Sequence, residues 1–127
     1  MTVQNEKFKQ LLDKAVSGLN VSFNELKDRY KDYPLCLMQY IENGKTELAF
    51  DVHFDDESAS IFYSFDIENN CDHSSISFVN GDDIDLFIEY LAGVGDYDFI
   101  KNYWGIGKCC LKVKELREEI RFCCHKK

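Results

Sequence analysis

Two alternating apolar runs flank Asn43-Gly44 in the segment LCLMQYIENGKTELAFDVHF (residues 35–54), and that dipeptide constrains the chain more than any other feature. A two-residue type I′ turn needs positive φ at both central positions, so Asn-Gly between such runs predicts a β-hairpin. A turn there pairs Glu42 with Lys45, and every later pair follows by counting outward. Ile41 then faces Thr46, Leu37 faces Phe50 and Leu35 faces Val52, which makes one face apolar. The other face pairs Tyr40 with Glu47, Met38 with Ala49 and Cys36 with Asp51. A slip of one residue would send Leu48, Phe50, Val52 and Phe54 into water, so pattern and turn agree.

Before the hairpin, Phe8, Leu11, Leu12, Ala15, Val16 and Leu19 recur at helical spacing and predict an amphipathic helix over about 3–17. Gly18 is expected to end it in left-handed geometry. Ser22-Phe-Asn-Glu25 reads as a capping box that opens a second helix, with Val21 and Leu26 as its staple. That helix runs to about Asp32, because Pro34 pushes Tyr33 out of helical conformation.

After the hairpin, alternation through Ile61, Tyr63, Phe65 and Ile67 gives a third strand, and Ile76 with Phe78 a shorter fourth. Asp82, Asp83 and Asp85 suit the positive end of a helix over about 82–92, buried through Ile84, Phe87, Ile88 and Leu91. Residues 96–104 are aromatic-rich and read as one helical turn on the core. The C-terminus offers two readings. As a helix it would expose Leu111 and Phe122. As a hairpin turning at Leu116-Arg117 it pairs Leu111 with Phe122, Val113 with Ile120 and Cys109 with Cys124, and this reading is preferred. The expected fold is therefore α+β in a single domain over residues 1–127. It has two N-terminal helices, a four-stranded antiparallel meander, one helix and a C-terminal β-hairpin (alternatively a helix), with the helices on one face of the sheet.

Charge is spread unevenly. Residues 1–34 carry net +1, residues 35–107 net −13 with two Lys/Arg against fifteen Asp/Glu, and residues 108–127 net +4. The middle would repel nucleic acid, whose binding rests on neutralised phosphates, and favours a cationic partner. No apolar run approaches the roughly 20 residues of a membrane span, and the charged N-terminus does not read as a signal peptide. A cytoplasmic protein with six reduced cysteines is expected, without membrane or cofactor.

Two constellations could carry chemistry. The hairpin register sets Cys36 opposite Asp51 with His53 two residues along, a possible nucleophile set that lacks an oxyanion hole. In the C-terminal hairpin Cys110, Cys123 and His125 share a face, but CC-x12-CCH lacks the chelate spacing of a structural zinc site, so no metal is expected.

The acidic edge is the stronger lead. In an up-down meander the second and fourth strands end at the same edge of the sheet. That brings Asp55, Asp56 and Glu57 to the edge where Asp82, Asp83 and Asp85 start the third helix, with Tyr33 nearby as a stacking surface for Arg. Like charges held together cost stability that a basic partner would relieve. The expectation is a non-enzymatic acidic protein that inhibits a partner protein, such as a nuclease, by occupying its basic site as a nucleic-acid mimic. Toxin immunity proteins and phage-encoded nuclease inhibitors, including anti-CRISPR proteins, share that charge and size. A small enzyme or a subunit of a larger assembly are the rivals.

Overall fold

The computed structural model describes residues 3–39, 46–54, 57–79, 81–116 and 119–126. The elements are α1 (Val3–Ser17), α2 (Phe23–Arg29), β1 (Cys36–Gln39), β2 (Thr46–Phe54), β3 (Glu57–Phe65), β4 (Cys71–Phe78), α3 (Gly81–Val94), β5 (Asp96–Asp98), β6 (Tyr103–Ile106), β7 (Cys109–Glu115) and β8 (Ile120–Lys126). Among the described residues the strands form one eight-stranded antiparallel sheet in the order β1-β2-β3-β4-β8-β7-β6-β5. Two four-stranded meanders thus meet at the β4–β8 pair. α3 carries the chain from the end of β4 toward the far edge, and β5 to β8 meander back.

Alternation places Leu48, Phe50, Val52, Ile61, Tyr63, Phe65, Ile76, Phe78, Leu111, Phe122 and Cys124 on the helix-covered face, all buried. Phe8 of α1 centres the core, with its ring 5.8 Å from Phe78 and 5.3 Å from Phe87. The C-terminal carbonyls of α1, orphaned by the end of the helix, are met by the sheet. The Tyr63 hydroxyl donates to the Lys14 carbonyl at 2.7 Å and the Ser74 hydroxyl to the Ala15 carbonyl at 2.7 Å.

Gly18 has a different role from the one expected. The positive φ after α1 falls on Asn20, at 66°. A Cβ on Gly18 would lie 2.3 Å from Tyr63 Cε1, so the glycine makes room for the ring. The Ser22 hydroxyl accepts from the Glu25 amide at 3.2 Å, the N-cap half of the capping box, while the Glu25 carboxylate lies 3.7 Å from Arg29. α2 stops at Arg29, short of Asp32.

β1 pairs with β2 and β7 with β8, each displaced by two residues from the counted register, which leaves the described paired residues on their expected faces. Leu37 pairs with Leu48, not Phe50, and Cys36 with Ala49, not Asp51. The Asn43-Gly44 turn lies outside the described residues. β2 is fixed by nine pairs with β3, whereas β1 contributes four. Tyr30 stacks 4.5 Å from Phe50 and Tyr33 lies 4.8 Å from it, so aromatic packing sets where the chain enters β1. At the C-terminus Leu111 pairs with Cys124 and Val113 with Phe122. Here Phe122 packs 4.8 Å from Phe87, and the Leu116 amide donates to the Glu119 carbonyl at 2.8 Å.

Residues 96–104 are not a helical turn. They build β5, a loop and the start of β6, with Tyr97 opposite Trp104 and Asp96 opposite Gly105. Aromatic residues favour a pleated surface, and Gly95 lets the strands close, since a Cβ there would lie 2.8 Å from the Gly105 carbonyl oxygen.

Phe50 is 2% exposed between Tyr30, Tyr33 and Tyr63. Phe50→Ala should therefore lower stability by about 3–5 kcal/mol in chemical denaturation. An unchanged midpoint would contradict this core.

Candidate functional site

Strand direction sorts the connections onto two ends of the sheet. β4 runs toward Phe78, where α3 begins, and its neighbours β3 and β8 run against it. The β2–β3 and β7–β8 connections, the β5–β6 loop and the start of α3 therefore share one end. The ends of β2 and β4 thus lie at the same end of the sheet.

The individual residues divide differently. Asp55 and Asp56 lie outside the described residues, and Glu57 opens β3 at the expected end. Asp82 and Asp85 are exposed on α3. Asp83 is not part of an exposed cluster. It is 3% exposed, with its carboxylate 3.4 Å from Nζ of Lys7 on α1, itself 7% exposed. Its spacing explains this: Asp83 stands four residues before Phe87, which stands four before Leu91, and all three are buried on the inner row of α3. Tyr33 packs on Phe50, with ring centroids 4.8 Å apart.

Glu89 was missed and belongs with Asp82 and Asp85. The three are exposed at i, i+3 and i+7, on one solvent face of α3. α3 contains no lysine or arginine, so no cation within the helix offsets them.

Beside the start of α3 a cleft of about 600 Å³ opens between the ends of β3 and β4 and the β7–β8 connection. Its walls include Phe78, Val79, Ile84, Leu116 and Ile120, with Glu115 and Glu119 as acids. Glu119 accepts from Ser77 Oγ at 3.0 Å and from Arg121 Nε at 2.7 Å. Arg121 crosses the face of the sheet opposite the helices, 3.7 Å over the Phe62 ring, and reaches both carboxylate oxygens of Glu47 at 3.3 Å. Glu47, Ser75 and Ser77 are buried on that face. Sequence alternation placed Glu47 and Arg121 outward. It gave no sign that two strands between them, bearing small serines, would let them meet.

The register parts the first constellation and keeps the second on one face. Cys36 is exposed opposite Ala49, and Asp51 instead accepts from Ser60 Oγ at 2.6 Å. Cys110 stands opposite His125 and Cys123 opposite Lys112, so Cys110, Cys123 and His125 share a face as expected. Among the described residues no three His, Cys, Asp or Glu side chains gather as metal ligands. Burial pushes the Cys71 thiol up to about 12 and raises Cys123 and Cys124 as well, so these remain protonated thiols at neutral pH.

No helix among the described residues is long and apolar enough to cross a membrane. Compared with protein-family models, curated proteins and solved structures, the chain matches none of them.

The division of the α3 acids is measurable. Asp83→Asn takes away the buried charge facing Lys7 and should cost about 3 kcal/mol. Asp82→Asn or Asp85→Asn should cost about 1 kcal/mol or less, the loss of a helix-dipole contact. Equal denaturation midpoints for the three variants would show that Asp83 is no more buried than its neighbours.

Proposed function

We propose that this chain is a small acidic binding protein that occupies a basic, nucleic-acid-binding site on a partner protein such as a nuclease. It would act in the manner of toxin immunity proteins or phage-encoded inhibitors of nucleases and CRISPR effectors. The observation that carries the reading is the solvent face of α3, where Asp82, Asp85 and Glu89 are exposed on a helix without a basic residue.

Rises of about 4.5 and 6 Å separate these residues along the helix axis. A groove built for phosphates would therefore meet a row of negative charges on one rigid helix face. Rigidity matters because a preorganised surface loses less entropy on binding. The Lys7–Asp83 pair anchors the first turn of this rod to α1. The same acidic surface disfavours direct contact with nucleic acid.

The test is a titration of the full chain against a panel of basic nucleases at low and high salt, reading both binding and inhibition. At least one nuclease should be bound and inhibited. The triple variant Asp82→Asn, Asp85→Asn, Glu89→Gln should associate roughly tenfold more slowly at low salt. The defect should shrink at high salt, since the Debye length falls from about 10 Å at 0.1 M to about 3 Å at 1 M. Glu68→Gln with Asp96→Asn, outside this helix, should change little. A panel with no binder, or a triple variant that binds like the parent at low salt, would contradict the reading.

A further inference from the structure

Of the chain's three histidines, His73 and His125 meet on the face of the sheet opposite the helices. His73 lies near the start of β4 and His125 near the end of β8. The register that sets Ser75 opposite Cys123 brings the two side by side across the seam between the meanders. Their ring centroids are 5.5 Å apart, with the planes at 83°. Two imidazoles on one metal ion, with metal–nitrogen bonds of about 2.0–2.1 Å, hold their centroids roughly 4.5–5.5 Å apart. The spacing fits a shared ion.

Two further observations concern the ring nitrogens. A carboxylate oxygen of Asp72 lies 3.2 Å from Nδ1 of His73. A negative charge there favours the proton on Nδ1 and leaves Nε2 with its lone pair. A histidine that ligates a metal is commonly backed in this way by a carboxylate at its other nitrogen. His125 Nδ1 is buried and has no hydrogen-bond partner among the described residues. A buried polar atom left without a partner costs free energy, and an ion bound to it removes that cost. His73 is half exposed, so its ring can turn toward that atom.

We propose that His73 and His125 bind one divalent transition-metal ion of the zinc, nickel and copper group, through Nε2 of His73 and Nδ1 of His125. Neutral imidazoles suit these ions, whereas calcium and magnesium take oxygen ligands. The two rings fill two positions of the ion's shell and leave the rest to water. One ligand stands on β4 and the other on β8, so the ion clips the seam at which the two meanders meet. The site lies at the end of β4 away from the start of α3. It does not rest on the acidic-partner reading, and either can fail without the other.

Calorimetric titration of the reduced full chain with Ni2+ tests this. Nickel is the probe because imidazole suits it, while softer ions are drawn to the chain's thiols. One ion per chain should bind, and His73→Gln or His125→Gln should each weaken binding at least about tenfold. His53→Gln, at an exposed position on β2, should bind like the parent. In imidazole NMR spectra of the parent, paramagnetic Ni2+ should broaden the His73 and His125 signals well before that of His53, a readout that needs no variant. Saturating Ni2+ should raise the thermal midpoint of the parent and leave that of His73→Gln where it was. A parent that binds no Ni2+ overturns the proposal. So does binding that survives the loss of either histidine, broadening of His53 alongside the other two, or a parent midpoint that Ni2+ does not move.

Discussion

The pairing of β4 with β8 is the contact on which the rest of the molecule depends. Ser74, Ser75, Ile76 and Ser77 pair with Cys124, Cys123, Phe122 and Arg121, and this seam joins two otherwise separate meanders. It is a non-local pairing, closed only after α3 and three further strands have been laid down. Its entropy cost must therefore be met by what it buries. Ile76 and Phe122 meet there beneath Phe78 and Phe87, all at 6% exposure or less. On the opposite face the same seam positions Arg121 to bridge Glu119 and Glu47. Through that guanidinium β8 is tied to β2, two strands beyond its nearest neighbour. α1 then closes the layer by giving its last carbonyls to Tyr63 and Ser74, one on each side of the β3–β4 pair.

The charge pattern gains meaning from this packing. A net charge of −8 is a property of composition, but the fold decides which charges reach solvent. Lys7 and Arg121 lie largely inside, each against carboxylates, so two of the chain's cations do not offset the surface acids. Asp82, Asp85 and Glu89 remain on the outer face of α3, held at helical pitch. Buried ion pairs contribute little net stability compared with apolar packing. Their consequence here is spatial, since they set the first turn of α3 and the line of β8.

Periodicity carried the elements and the faces: α1, the capping box at Ser22, the meander and the C-terminal hairpin were all legible. Registers were not, because a displacement of two residues keeps every side chain on its face and so leaves no trace in the pattern. Tertiary packing decided them, through Tyr30 and Tyr33 on Phe50 and through Phe122 under Phe87. β5 and β6 were missed because three- and four-residue strands are too short to show alternation. Within the acidic edge the spacing of Asp83 from Phe87 and Leu91 already marked it as inward-facing, and the recurrence of Glu89 after Asp82 and Asp85 marked it as outward. Counting acids by nearness in sequence obscured both. The Arg121 bridge and the cleft depend on strand order, which composition and local spacing do not contain.

Carbodiimide labelling of carboxylates, read by mass spectrometry, tests the central claim that the fold divides its acids into an internal set and a binding face. In the protein alone Asp82, Asp85 and Glu89 should label readily while Asp83 and Glu47 stay unmodified. In complex with a basic nuclease of the kind proposed as partner, the three exposed acids should become protected. Labelling of Asp83 as fast as Asp82, or equal labelling of the α3 face with and without the nuclease, would contradict the account.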